Sequence, residues 1–287
     1  MNGYTDMNPV VRRIEQHYPM MSAQEKRVAD YVVSDMDEVA NCSVARIAQH
    51  AGVSPATVVR FTNSIGFTGM LEFKNYLRSE KLAPRAGWST LHPGDSMERI
   101  ASNTMQANKR AIDETLMVLN NDAAEAAVTA IEKARRVLIL SEGGSGCSAR
   151  CAYDAFIQIG IQASLVMDSF FQVTEAAHAK PGDVALSVCH SGRARNAVDA
   201  IRLAQEAGAT TISIAGIVGS PITKYSDIVL YTGLADDSFH SETVAVRICE
   251  LNVISVLHMA LALRRQEELG DYRSANSERF ELKRYKK

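Results

Sequence analysis

The sequence predicts two domains, an N-terminal all-α bundle and a C-terminal α/β sandwich with a five-stranded parallel sheet. Amphipathic helical patterns fill the first 81 residues, residues 82–96 contain prolines and glycines, and short apolar runs alternate with helical segments from residue 136 onward. Strand-like runs separated by helices are typical of a parallel sheet. The predicted domains are therefore residues 1–81 and 97–265, with a linker at 82–96 and a polar tail at 266–287.

Two short helices meet at Gly52 in the N-terminal part. Apolar residues recur at helical spacing on both sides of this glycine, namely Val44, Ile47, Ala48 and Ala51 before it and Val58, Phe61 and Ile65 after it. Ser54 is a good N-cap, and Pro55 fits the first helical position, where its missing N–H is not needed. Two amphipathic helices joined by a tight turn match the helix-turn-helix plan, in which the second helix enters the major groove of DNA.

The outer face of the second helix is small, polar and cationic, which favours contact with DNA. Residues 43–81 carry five lysines and arginines against two glutamates, so the surrounding charge is positive. An ordinary helical hairpin is the alternative, since amphipathic helix pairs are common. Thr57 and Arg60 are predicted to read bases, and Lys74 and Arg78 to contact phosphates. The candidate DNA-binding residues are Ser54, Ala56, Thr57, Arg60, Asn63, Lys74 and Arg78.

Five strand-like runs predict the parallel sheet. They are residues 137–140, 163–166, 184–188, 211–214 and 228–231. Ligands gather at the carboxyl ends of such strands. Two of these ends carry serine and glycine ahead of a helix, with the sequences SEGGSGCS at 141–148 and CHSGRAR at 189–195. Glycines let the backbone approach a ligand and helix N-termini attract anions, so the two turns together predict an anion site.

The composition is that of an ordinary soluble protein, with 46% hydrophobic residues and a formal net charge of -2. No run is expected to be a signal peptide or a membrane span, and five scattered cysteines predict reduced thiols in a cytoplasm. No cofactor or metal is predicted, although Cys147 and Cys151, with Cys189 or His190 nearby, leave a metal or redox site as a minor alternative.

These motifs resemble the RpiR-type family of bacterial transcriptional regulators. Members carry an N-terminal helix-turn-helix and a C-terminal sugar-isomerase (SIS) domain. The resemblance covers about residues 11–264 and rests, in the first part, on SAQEKRVADY at 22–31, AGVSPATVVRF at 51–61 and GFTG at 66–69. In the second part it rests on GGS at 143–145 and HSGR at 190–193.

The resemblance implies a sugar-phosphate site in an SIS-type sandwich. In related SIS domains the serine of the first loop contacts the sugar and the second turn holds the phosphate. Carried over by position, this implicates Ser145 and Ser191, with Gly144 and Gly192 as backbone donors. The expected ligand-binding residues are Gly143, Gly144, Ser145, Ser148, Cys189, His190, Ser191, Gly192 and Arg193.

Four positions depart from the family pattern around this site. The first loop begins with Ser141 and Glu142, where glycine followed by a small residue is common in the family. Cys189 and Ala194 stand where the family turn usually carries hydroxyls. We therefore expect weaker phosphate binding, by about 0.5–1.5 kcal/mol for each hydrogen bond lost. Glu142 would repel an anion if its side chain pointed into the site.

The resemblance implies a cytoplasmic transcriptional regulator that is not an enzyme. It would bind double-stranded operator DNA as a homodimer or tetramer, and a phosphosugar or related sugar acid would modulate its operator affinity. Two alternatives stay open. One is a sugar-phosphate isomerase with an accessory helical domain, for which Glu142, His240 and Glu242 are the candidate acid–base groups. The other is a ligand-free interaction module with a decayed pocket.

Overall fold

The computed structural model describes residues 9–82, 90–233 and 244–270. The chain forms two compact units, Met1–Ala107 and Asn108–Lys287. This division falls inside one long helix, Met97–Val118, whereas the predicted second domain starts at residue 97. Residues 83–89 of the predicted linker, which include Trp88, and residues 271–287 of the predicted tail lie outside the described residues, so those boundaries stay predictions.

Helices fill the described part of the first unit. They are α1 (Pro9–His17), α2 (Ala23–Ser34), α3 (Met36–Asn41), α4 (Val44–Ala51), α5 (Pro55–Ser64) and α6 (Met70–Leu82). Serines Ser43 and Ser54 cap α4 and α5, each by accepting a hydrogen bond from the backbone N–H three residues on. Gly52 ends α4 in the left-handed region, with φ of 63°, which a glycine adopts without strain.

The helix-turn-helix prediction is confirmed by the packing of α4 and α5. Both helices pack against α2 and against each other, and α5 also contacts α6. Ile47, Val58 and Phe61 are completely buried at the centre. The Phe61 ring meets the ring of Phe73 edge to face at 6.2 Å, which joins α5 to α6. These contacts hold the apolar stripe of α5 inward, so the opposite face is presented to solvent.

The second unit is an α/β sandwich. Its helices are the second half of α7 (Met97–Val118), α8 (Asn121–Lys133), α9 (Gly146–Gln158), α10 (Ser169–Ala177), α11 (Arg195–Glu206) and α12 (Val244–Arg264). Its strands are β1 (Arg136–Leu140), β2 (Ala163–Val166), β3 (Asp183–Val188), β4 (Thr210–Ala215) and β5 (Ile228–Tyr231). Within the described residues these five strands form one parallel sheet in the order β2-β1-β3-β4-β5, as the five apolar runs predicted.

Helices cover both faces of the sheet because the strands are apolar on both sides. Along β1, Val137 and Ile139 belong to a buried cluster with α8, α9 and α12. Leu138 and Leu140 point the other way, into a second cluster with α10 and α11. The sheet therefore lies in the middle of three layers, which places the carboxyl ends of its strands at one edge of the sandwich.

Helix α12 corrects one expectation. It is long and apolar enough to cross a membrane by length and composition, whereas no run of that length was expected. In the fold, Val253, Leu257 and Leu261 of this helix are buried in the core cluster, and α12 packs against α9. Burial in this core accounts for the apolar residues on one side of the helix.

Candidate DNA-binding and effector sites

The exposed face of α5 carries four residues at helical spacing. Ala56, Val59, Arg60 and Asn63 lie at i, i+3, i+4 and i+7, and all four are exposed. This stripe combines one guanidinium, one amide and two apolar side chains. Arginine and asparagine are the side chains that form two-point hydrogen bonds with guanine and adenine, and small apolar groups contact the thymine methyl.

Thr57 does not belong to this face. The prediction that it lies on the outer side of α5 is wrong, because its side chain is only 1% exposed. The cause is that α5 packs against α2 as well as α4, which widens its buried face. The Thr57 hydroxyl donates to Gln24 Oε1 at 3.3 Å and accepts from Arg60 Nη2 at 3.4 Å. The Thr57 hydroxyl thus contacts the exposed Arg60 side chain from the buried side of α5.

The remaining predicted DNA-binding residues surround α5. Ser54 is exposed and caps the helix, with its hydroxyl 3.0 Å from that of Thr57. Arg78 is exposed on α6. Lys74 is half-buried, and its ammonium donates to the Cys42 carbonyl at the end of α3, so a structural partner already holds it.

A carboxylate also lies near the Arg60 guanidinium. Hydrogen bonds from Ser22 in the α2 capping box lower the pKa of Glu25, and the charge of Arg60 lowers it further. The positive charge of the α5 face is therefore partly balanced in the free protein.

The second site lies at the carboxyl ends of β1 and β3. From β1 the chain continues to β2 on one side of β1, and from β3 it continues to β4 on the opposite side of β3. The loops that follow β1 and β3 therefore run in opposite directions. Such a switch point opens a crevice for ligands in a parallel sheet. Here it holds a pocket of about 370 Å³. Its walls are Glu142, Gly143, Ser145, Val188, Cys189, His190, Ser191, Ala194, Ala197 and Arg247.

A buried polar network supports the β1 side of the pocket. Ser145 accepts a hydrogen bond from Arg247 Nη1 at 2.6 Å and donates to Glu250 Oε1 at 2.7 Å. Glu250, on α12, is completely buried and accepts a second hydrogen bond from Ser148 at 2.7 Å. Its carboxylate also lies 3.4 Å from the Arg247 guanidinium. Buried charges of this kind are tolerated when they are paired and hydrogen-bonded.

The β3 side is a tight turn that leads into α11. Gly192 has a φ of 58°, and a Cβ at this position would overlap with Ser220. Gly216 lies against the His190 ring in the same way, since a Cβ there would be 2.6 Å from Nδ1. Helix α11 then begins after Ala194, whose side chain makes no capping hydrogen bond. The first N–H groups of α11 therefore have no side-chain cap, and such groups at a helix N-terminus can bind an anion.

Glu142 lines the pocket between these two sides. It is half-buried, and its Oε2 accepts a hydrogen bond from Asn196 Nδ2, in the first turn of α11, at 3.1 Å. The carboxylate thus lies at the same helix end that an anion would approach. The sequence identified this residue as a source of repulsion if it pointed inward, and the structure places it there.

Comparisons with known proteins agree with this architecture. The profile of the "Helix-turn-helix domain, rpiR family" matches residues 8–84, and that of the SIS domain matches residues 130–260. An HTH-type transcriptional regulator of Haemophilus influenzae is 31% identical over 267 residues, covering 91% of this chain and 92% of the relative. The chain belongs to the RpiR family of transcriptional regulators.

Two further proteins resemble this chain over almost its whole length. An HTH-type transcriptional regulator of Caldanaerobacter subterraneus is 30% identical, over 98% of this chain and 99% of its own. The solved structure of the NanR protein of Vibrio vulnificus complexed with ManNAc-6P has a TM-score of 0.58 and 21% identity, covering 94% of this chain and 98% of that one. The family and the fold inferred from the sequence are thereby confirmed.

Five of the nine expected ligand residues of this RpiR-family chain line the pocket. They are Gly143, Ser145, Cys189, His190 and Ser191. Ser148 does not line it, because it is completely buried and donates to Glu250 instead. The Gly192 N–H donates to the Cys189 carbonyl at 2.9 Å, so it is not the free backbone donor that was expected.

Gly144 and Arg193 also lie outside the pocket walls. The Gly144 carbonyl accepts from the Cys147 thiol, and Arg193 is exposed beyond the turn, with its N–H donating to Ser191 Oγ. Arg247 is the main residue that sequence reasoning missed. It stands 102 residues after Ser145, and the signal available was the pair of charged residues, Arg247 and Glu250, within the mostly apolar pattern of α12.

The structure describes only some of the residues proposed for a metal or redox site and for an isomerase centre. Within the described ranges, no group of three or more histidine, cysteine, aspartate or glutamate side chains is placed to hold a metal ion. Cys147 and Cys151 are both exposed on α9, whereas Cys189 is buried. His240 and Glu242, the other candidate acid–base groups, lie outside the described residues.

Proposed function

We propose that this regulator binds double-stranded operator DNA through α5 and that a phosphosugar or related sugar acid in the SIS pocket modulates its operator affinity. The observation that carries the proposal is the pocket at the β1–β3 switch point, lined by Ser145 and Ser191 beside the uncapped start of α11. NanR, which shares the fold, is bound to a sugar phosphate. We further propose that the protein is cytoplasmic.

On the DNA side, Arg60 and Asn63 are proposed to read base edges. Ala56 and Val59 would contact thymine methyls, Ser54 and Arg78 would contact phosphates, and Lys74 would have to leave the Cys42 carbonyl to do so. Thr57 would act as a positioning residue, because its hydroxyl bonds Arg60 from the buried side. We propose a homodimer or a tetramer, whose paired α5 helices would need palindromic half-sites about 34–36 Å apart.

The DNA assignment is tested with Arg60→Ala. The full-length protein first selects its preferred site from a random duplex library, and affinity for that site is then measured by gel shift at fixed salt. One two-point arginine contact contributes about 1–3 kcal/mol, so we expect a loss of that size together with relaxed sequence preference. Arg202→Ala removes the same charge from a half-buried position on α11 in the other unit and should leave both unchanged. An unchanged site preference in Arg60→Ala would refute the assignment.

The enzyme alternative has one supporting observation, which is that Glu142 lines the pocket. We propose nevertheless that the chain is a regulator and not an isomerase, because its full-length relatives are named transcriptional regulators. Incubation of the protein with aldose and ketose phosphates, followed by nuclear magnetic resonance, tests this. Turnover that Glu142→Gln abolishes would establish the isomerase. A ligand-free module would instead show no thermal shift with any sugar phosphate.

A further inference from the structure

The pocket contains a carboxylate, that of Glu142, which forms no ion pair with any of the described residues. Of the described residues, Asn196 alone donates a hydrogen bond to Glu142, through a neutral amide and only to Oε2. Oε1 therefore has room for a donor from a ligand. Partly buried carboxylates are strongly stabilised by charged donors, because the surroundings screen less than water does.

Arg247 also lines the pocket, but its guanidinium interacts with residues other than Glu142. Its Nη1 donates to Ser145 and lies 3.4 Å from Glu250, which is completely buried. The charges of Arg247 and Glu250 therefore compensate each other. Among the described residues that line the pocket, Glu142 is then the charged side chain without an ion-pair partner.

A phosphate at the start of α11 would lie near this carboxylate, because Asn196 connects Glu142 to the first turn of that helix. Two anions at one helix end repel each other unless a cation lies between them. The SIS pocket thus favours a ligand that supplies both a phosphate and a positive charge.

We infer that the effector is an amino-sugar phosphate whose protonated amino group pairs with Glu142. The inference rests on the proposed function, since it names the chemical class of the effector for the same pocket. A plain sugar phosphate offers Glu142 only neutral hydroxyls, an N-acetylated sugar offers an uncharged amide, and a sugar acid brings a second anion. Glu142 is then the specificity-determining residue, and the sugar-acid class is disfavoured.

The test uses matched pairs of ligands, so that sugar stereochemistry is held constant. Binding of the 6-phosphates of glucose, mannose and galactose and of their 2-amino counterparts to the full-length protein is measured by calorimetry near pH 7. At least one amino sugar should bind about 10- to 100-fold more tightly than its hydroxyl partner, the ratio expected for one charge-assisted hydrogen bond. Glu142→Gln should bring that ratio close to one, by weakening the amino sugar and not the hydroxyl sugar.

Glu206→Gln is the matched control, because it removes a carboxylate from the exposed end of α11. It should leave the ratio unchanged. Equal binding of all pairs by the unmodified protein, or a ratio that survives Glu142→Gln, overturns the inference and leaves the phosphosugar effector standing. If none of the six ligands binds, the phosphosugar effector itself is overturned, and the inference falls with it.

Discussion

At the scale of single residues, Glu250 is expected to have a large influence on stability. It is completely buried, accepts hydrogen bonds from Ser145 and Ser148, and lies beside Arg247, which is itself only 7% exposed. Glu250→Ala would leave a buried guanidinium without its carboxylate. We expect the free energy of unfolding of the SIS unit to fall by about 3–5 kcal/mol, as measured by urea denaturation with circular dichroism.

The double variant Glu250→Leu with Arg247→Met separates pairing from packing. It removes both charges and keeps apolar volume, so most of the lost stability should return. If the double variant is as unstable as Glu250→Ala, the ion pair is not what stabilises this part of α12.

Thr57 and Val59 show what the sequence could not reveal about α5. Both positions are compatible with the helix pattern, yet one is buried and the other exposed. The apolar stripe of Val58 and Phe61 identifies one buried face only. Because α2 supplies a second packing partner, Gln24 covers Thr57, and that contact joins residues 33 positions apart. Local periodicity carries no information about such a contact.

Among the structural elements, the turn after β3 depends on glycine more than the turn after β1 does. Gly192 and Gly143 have nearly equal positive φ values, 58° and 59°. Nothing lies within 4 Å of a Cβ at Gly143, whereas a Cβ at Gly192 would be 2.7 Å from Ser220 Cβ and closer still to its hydroxyl. Both alanine variants should carry the backbone strain of about 1–2 kcal/mol, and Gly192→Ala should lose about 1–3 kcal/mol more through overlap.

Thermal unfolding of the two variants measures this difference. Gly192→Ala should melt at the lower temperature and should also bind sugar phosphates more weakly, because the turn carries Ser191. Equal melting temperatures would mean that Ser220 moves aside without loss.

The strands and the loops that follow β1 and β3 could be predicted from sequence, but the full set of residues that line the pocket could not. Each βα turn is a local feature, and Ser145 and Ser191 were found in this way. The order β2-β1-β3-β4-β5 depends on pairing between distant segments, and this order is what opens the crevice beside them. Arg247 enters the pocket from a helix 102 residues after Ser145, so only the packed structure brings it there.

At the scale of the whole molecule, regulation requires that effector binding to the second unit changes DNA binding by the first. The proposed DNA-binding face lies on α5 in the first unit, and the pocket lies in the second unit. Thermodynamic linkage then requires that DNA and effector change each other's affinity by the same factor. This requirement holds whatever the direction of the effect.

Reciprocal titrations test this coupling directly. The DNA dissociation constant is measured with and without saturating glucosamine 6-phosphate, and that of glucosamine 6-phosphate with and without the selected duplex. The two ratios of dissociation constants should be equal, and each should correspond to a coupling free energy of about 1–3 kcal/mol.

The variant Ser191→Ala is the control. It should weaken binding of the sugar phosphate and leave DNA affinity without sugar phosphate unchanged, since Ser191 lines the pocket. If the sugar phosphate changes DNA binding equally in Ser191→Ala at the same concentration, the sugar phosphate acts outside the SIS pocket. If both ratios are one in the unmodified protein, occupancy of the pocket does not change DNA binding by α5.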